Sequence, residues 1–245
     1  MKLLFLLLLM VPSVTFAAET DPQEPILIET YKEDVTGDGD NETIDLKGIL
    51  FSPDTQYYKD IWITVTTTSG ADWKINYGGG YEPVLQFIDL THDGIKDIFY
   101  QSPTGGSGGL YTSNLHTFAN SEMQEIALPD QQYVNGNFEE NFNVTIKIAP
   151  NGKPIVVDVK DRAEDYIRLG IYDKNGKLLK PTDLMIDPIA FFEPNLISDS
   201  KGYGLKSFKQ ISGAYHADGL GTIETLWYYE NGNWVILKTE WVPAG

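Results

Sequence analysis

Asp34-Val-Thr-Gly-Asp-Gly-Asp-Asn-Glu42 and Asp89-Leu-Thr-His-Asp-Gly-Ile-Lys-Asp97 carry the same side-chain chemistry at the same spacing. In each nine-residue stretch, positions 1, 3, 5 and 9 bear oxygen and position 6 is glycine. These are Asp34, Thr36, Asp38, Gly39 and Glu42, then Asp89, Thr91, Asp93, Gly94 and Asp97. Alternate residues of a tightly curled loop point to one side, so this spacing gathers carboxylates around one point. A hard cation such as Ca²⁺ takes six to eight oxygens at about 2.3–2.6 Å, and glycine lets the chain reverse without a Cβ clash. Two matches, starting 55 positions apart, make Ca²⁺ the expected ion.

The flanks decide which kind of loop this is. An EF-hand needs helices on both sides and a bidentate glutamate at position 12. Position 12 is Asp45 in the first loop and Tyr100 in the second, so closure falls to position 9. Ile26–Tyr31 and Thr43–Lys47 bracket loop one, and Val84–Ile88 and Ile98–Tyr100 bracket loop two. All four stretches are short and rich in β-branched and aromatic residues, which predicts strands. The unit is therefore strand, loop, strand.

The run Asp89-Leu-Thr-His-Asp-Gly-Ile-Lys-Asp-Ile-Phe99 resembles the core of the FG-GAP/VCBS repeat of integrin-type β-propellers and secreted bacterial proteins. The longer stretch Gly78–Gly94, continuing to Gly105-Gly-Ser-Gly-Gly-Leu-Tyr111, is similar to secreted Bacillus-type VCBS-repeat proteins without an assigned activity. The resemblance covers roughly residues 30–118. It implies one Ca²⁺ per loop, held by the side chains of Asp34, Thr36, Asp38 and Glu42, and of Asp89, Thr91, Asp93 and Asp97. The backbone carbonyls of Asp40 and Ile95 would supply position 7. Thr at position 3 of both loops and Glu42 at position 9 depart from the usual pattern and bear on affinity. Asp-Gly pairs are also ordinary turn sequences; the full spacing is what favours metal.

Lys2 followed by Leu3–Val11, with Thr15-Phe-Ala17 beyond, reads as a secretory signal peptide cleaved near Ala17. That apolar run is too short to span a bilayer core of about 30 Å. The expected location is outside the cell or on its surface, and no membrane span is expected. The chain has no cysteine, hence no disulfide framework. A net charge of −17 repels phosphate backbones and disfavours nucleic acid as a partner. It suits a soluble secreted protein and a cation site.

The remaining sequence is punctuated like an all-β protein. Hairpins are expected at Ile61–Thr66 with Asp72–Asn76, and at Asn143–Ile148 with Ile155–Val159. Tyr166–Tyr172 with Lys177–Leu179 reads the same way, as does Thr222–Tyr229 with Trp234–Trp241 around Asn231-Gly232. A period of about 55 residues suits a four-stranded propeller blade, and the length admits about four. The expectation is a small or incomplete β-propeller-like array. Its parts would be a signal peptide at 1–17, an extension at 18–25, two calcium-loop repeats at 26–128, and a degenerate half of the same domain at 129–245. The acidic stretch Asp158–Asp165 lacks the glycine and reads as a turn or strand edge.

Catalysis has little support in the sequence. Gly105-Gly-Ser-Gly-Gly109 matches the Gly-x-Ser-x-Gly nucleophile motif, with His216 downstream, but that elbow needs a helix after it and Leu110–Phe118 alternates like a strand. Glu139-Glu140 could belong to a glycosidase pair, yet 35 acidic residues make such neighbours common. The histidines His92, His116 and His216 show no zinc spacing, and His92, at position 4, is expected to face solvent. The tryptophans read as sheet packing, while Tyr77 and Tyr81 beside Gly78-Gly-Gly80 are candidate surface contacts. The reading is a secreted calcium-binding β-repeat protein with a non-enzymatic binding or structural role and an extracellular protein or glycan partner. A secreted hydrolase or a carbohydrate-binding module is the alternative.

Overall fold

The computed structural model describes residues 24–119, 122–131 and 133–244. The expected leader at 1–17 lies outside them. Among the described residues, no helix is long and apolar enough to cross a membrane.

Among the described residues, fifteen strands form four antiparallel sheets, each from strands consecutive in the chain. Sheet one holds β1 (Ile26–Glu33), β2 (Glu42–Leu50), β3 (Tyr57–Thr66) and β4 (Asp72–Tyr81). Sheet two holds β5 (Val84–Ile88), β6 (Asp97–Pro103), β7 (Tyr111–Thr117) and β8 (Gln124–Ile126). Sheet three has three strands, β9 (Asn135–Glu139), β10 (Asn143–Lys147) and β11 (Ile155–Asp158). Sheet four holds β12 (Met185–Ser198), β13 (Gly202–Ser212), β14 (Gly219–Glu230) and β15 (Asn233–Pro243). The all-β expectation is met by these four meanders.

Alternation explains the layering. Along β2, Glu42, Ile44 and Leu46 are buried while the residues between them are half-buried, the period-two pattern of a strand with one covered face. Three apolar cores follow. The first joins sheets one and two through Ile44, Leu46, Ile63, Val65, Ile98 and Tyr100. The second packs sheet three and a short helix on one end of sheet four, through Val144, Ile146, Tyr166, Ile211 and Ile223. The third joins sheets two and four through Leu90, Phe99, Leu115, Phe192 and Leu205. Between the last two lies a polar seam at Gln131. Its carbonyl accepts from Lys209 Nζ at 2.8 Å, and its Oε1 accepts from Thr225 Oγ1 at 3.0 Å.

Two expectations need correcting. Tyr166–Tyr172 is not a strand: α1 (Ala163–Arg168) occupies its start, with Gly170 at φ +70° beyond its end. Tyr166 and Ile167 favour strands, but Glu164 and Asp165 in the first turn and a left-handed glycine after the last favour helix. Tyr77 is no surface contact either. It is buried and stacked on Tyr100, ring centroids 3.7 Å apart, and Tyr81 packs against Tyr57. Gly79 and Gly80 serve close packing: a Cβ on Gly80 would stand 2.1 Å from Ser102 Oγ.

Candidate metal centre

Loop one joins β1 to β2 and loop two joins β5 to β6, and in both the position-9 carboxylate is the first residue of the second strand. The two loops match hydrogen bond for hydrogen bond. Asp34 Oδ1 and Oδ2 accept from the amides of Gly37 and Gly39, at 2.7 and 3.0 Å. Asp89 accepts in the same way from His92 and Gly94, at 2.6 and 3.1 Å. Asp38 Oδ1 accepts from Asp40 N at 2.8 Å, and Asp93 Oδ1 from Ile95 N at 2.9 Å. Glu42 accepts from the amides of Val35 and Thr36, at 2.9 and 3.2 Å, and from the Thr36 hydroxyl at 3.3 Å. Asp97 takes the amides of Leu90 and Thr91, at 2.7 and 2.8 Å, and the Thr91 hydroxyl at 3.1 Å.

Backbone conformation repeats as well. Positions 4 and 6 have positive φ in both loops, at Gly37 and Gly39 and at His92 and Gly94. His92 is the one of the four with a Cβ in this left-handed region, which is costly outside glycine. Position 2 is a fully buried aliphatic in both, Val35 in the first core and Leu90 in the third. Each loop is thus anchored from below by a side chain and closed from within by its own carboxylates.

The loops also lie side by side. A Cβ on Gly37 would stand 2.8 Å from the Ile95 side chain, and Lys96 Nζ reaches Glu33 at 2.6 Å. Seven acidic side chains in the two nine-residue stretches face one lysine, a concentration of negative potential that attracts cations. Among the described residues, no three carboxylate or imidazole groups already converge as a metal cluster, because the acids are turned toward loop amides. They retain acceptor capacity. An ionised carboxylate offers about four lone-pair sites; Asp38 and Asp93 each use one of theirs on the loop, and Asp34 and Asp89 two. An all-oxygen set of this kind fits Ca²⁺ or Mg²⁺ better than zinc or copper.

The two closing carboxylates, Glu42 and Asp97, are fully buried. Burial pushes the Asp97 carboxyl up to about 6, against the lowering effect of the amide and hydroxyl donors around it.

His92 departs from expectation. Instead of facing solvent it bridges to the last sheet: Nδ1 lies 3.0 Å from the Tyr229 carbonyl and Nε2 2.8 Å from the Tyr203 carbonyl. Its ring stacks on Tyr228 at 4.3 Å. Both partners are carbonyls, so making both bonds at once requires an N–H on each ring nitrogen. His92→Ala is expected to cost about 1–3 kcal/mol, from a hydrogen bond to a main-chain carbonyl and a ring contact, with and without calcium. Urea unfolding measures this, and unchanged stability would show that the ring is not seated there.

The serine of the Gly-x-Ser-x-Gly match, Ser107, sits in the turn between β6 and β7 with strands on both sides. The strand-to-helix geometry of a nucleophile elbow is not formed. His216 pairs with the buried Asp187, Nδ1 to Oδ1 3.0 Å, in the loop before β14.

Comparison with known proteins corrects the FG-GAP/VCBS resemblance. The family that matches is the YybI C-terminal domain, over residues 132–242, the half that the resemblance scarcely touched. The uncharacterized protein YybI of Bacillus subtilis (strain 168) is 24% identical over 207 residues, covering 82% of this chain and 78% of that protein. The physical reason for the misreading is that a nine-residue carboxylate loop between two strands is a local solution, and sequence alone does not tie it to one repeat family. Among solved structures, a crystal structure of the rhamnogalacturonan lyase YesW is similar over 89% of this chain and 34% of that one, with 16% identity and a TM-score of 0.37. The chain spans about a third of that enzyme's length.

Proposed function

We propose that the two loops are structural calcium sites in a secreted, non-enzymatic binding or scaffolding protein. The four meanders stand in it as the blades of a small or incomplete propeller-like array. One observation carries the reading: two loops, distant in sequence, repeat the same carboxylate-to-amide hydrogen bonds and the same left-handed positions. A merely convenient turn has no reason to repeat in such detail. The ion would be held by Asp34, Thr36, Asp38, Glu42 and the Asp40 carbonyl, and by Asp89, Thr91, Asp93, Asp97 and the Ile95 carbonyl. It would supply charge neutralisation and rigidity, with no part in a reaction. The leader-like N-terminus supports export, where calcium is plentiful, and the partner would be an extracellular protein or glycan.

Extracellular calcium modules bind with Kd of about 10⁻⁴–10⁻³ M. At millimolar calcium each site then adds about 0.4–1.4 kcal/mol, and two sites raise Tm by about 2–10 °C for a domain of this size. The test is thermal unfolding in excess Ca²⁺ and in EDTA, followed by calorimetric titration. About two bound ions and a rise in Tm support the reading. Asp38→Ala and Asp93→Ala are each expected to remove part of the calcium-dependent rise and to leave the EDTA value within about 1 kcal/mol. No heat and no shift would reduce the loops to acidic turns.

A further inference from the structure

We infer that the outer edge of β15 pairs with the same edge of a second copy of this chain, in an antiparallel register centred on Thr239. This goes beyond the calcium reading and does not depend on it.

Among the described residues, β15 is the last strand of a four-stranded sheet and has only β14 beside it. Strand edges present rows of unpaired N–H and C=O groups, and natural proteins blunt or use them. Val235, Ile236, Leu237 and Val242 on this strand are exposed large hydrophobics, the first three at or beyond a register shift beside Leu237. The β14 pairing fixes which backbone groups face outward. Ala244 N donates to Leu220 O, and the register runs Thr222↔Val242, Glu224↔Glu240 and Leu226↔Lys238. Antiparallel ladders alternate bonded and non-bonded pairs, so Val242, Glu240 and Lys238 bond inward, while Thr239 and Trp241 turn N–H and C=O outward. Pro243, which has no N–H, falls on the next outward position, as proline on an edge should. The register shift beside Leu237 ends the regular edge.

A two-fold pairing uses one patch twice, so residue i of one copy meets j of the other and j meets i. Centring on Thr239 lets its outward N–H and C=O exchange bonds with their counterparts. It also places Lys238 of each copy opposite Glu240 of the other, in the closer, non-bonded type of pair. Centring on Glu240 would oppose two glutamates, and centring on Trp241 would leave both charges without a counterpart. Within one chain, Glu240 already lies opposite Glu224 across β14 and β15, with Lys238 Nζ 2.7 Å from its Oε1.

Sedimentation velocity of the purified protein, from about 1 to about 300 μM, reads the dimer, with circular dichroism confirming that each variant is folded. The expected result is a reversible monomer–dimer equilibrium. Lys238→Glu, which sets four acids around the seam, is expected to weaken it at least about tenfold, equivalent to about 1.4 kcal/mol. The double reversal Lys238→Glu/Glu240→Lys is expected to restore it. A protein that stays monomeric throughout overturns the proposal. So does a dimer indifferent to Lys238→Glu, which uses another surface, or a double reversal that fails to rescue, which excludes this register.

Discussion

Glu42→Ala is expected to lose about 3–5 kcal/mol of stability whether or not calcium is present. The side chain is fully buried and accepts the amides of Val35 and Thr36 together with the Thr36 hydroxyl. Truncation leaves two backbone donors without partners in a buried setting, at about 1–3 kcal/mol each, and opens a small cavity under loop one. Glu42→Gln retains an amide oxygen to receive the two N–H groups and is expected to cost less than half as much. Urea unfolding in calcium and in EDTA separates the roles. A loss confined to calcium-loaded protein would make Glu42 primarily a ligand, whereas the same loss in both makes it the internal clasp of the loop. Asp38→Ala, at an exposed position with one loop amide, is the contrasting case.

The second large effect is a pH dependence set by Asp97. Its folded carboxyl titrates at about 6, against an ordinary value near 4 in the unfolded chain. Below about pH 4 both states hold the proton, and the group has no effect on stability. Between about 4 and 6 the folded state keeps a proton that the unfolded state has released, so stability falls as pH rises. Above 6 the full penalty remains, on the order of 3 kcal/mol. Calcium-free protein is therefore expected to be less stable at pH 7.5 than at pH 5 as far as this group is concerned. Asp97→Asn, which removes the charge and keeps an acceptor for Leu90 and Thr91, should abolish that slope and raise stability at pH 7.5 in EDTA. A cation in loop two would favour the ionised form and cancel the slope in the wild type. Chemical unfolding at pH 5, 6 and 7.5, with and without calcium, reads all of this. A wild-type slope shared by Asp97→Asn would assign it to another group.

The loops were legible because their chemistry is local: nine consecutive residues contain both the carboxylates and the amides that receive them. The hairpin of β14 and β15 was legible from alternation and from Asn231-Gly232, both of which adopt positive φ. The hairpin of β12 and β13 escaped notice because Pro188 and Pro194 interrupt the strand pattern of β12, which tolerates them as an edge strand. Helix α1 was read as a strand because its aromatic and β-branched residues serve the second core. The seat of His92 has no local signal at all, since its partners are main-chain carbonyls 111 and 137 residues away. The family resemblance failed for the opposite reason. It rested on a short motif whose physics is general, while the matching family lies in residues 132–242, where no chemical motif stood out.

Strand β6 supplies Ile98 and Tyr100 to the first core and Phe99 to the third. Neighbouring residues of a single strand therefore belong to different halves of the molecule. A cut in the linker near residue 129 would separate the two sheets that carry the acidic loops from the family-matched segment on paper, yet it would strip Phe192 and Leu205 of the wall formed by Leu90, Phe99 and Leu115. The unit that sequence comparison recognises is thus smaller than the unit that can exclude water. The two halves share a partition, and neither inherits a complete interior without the other.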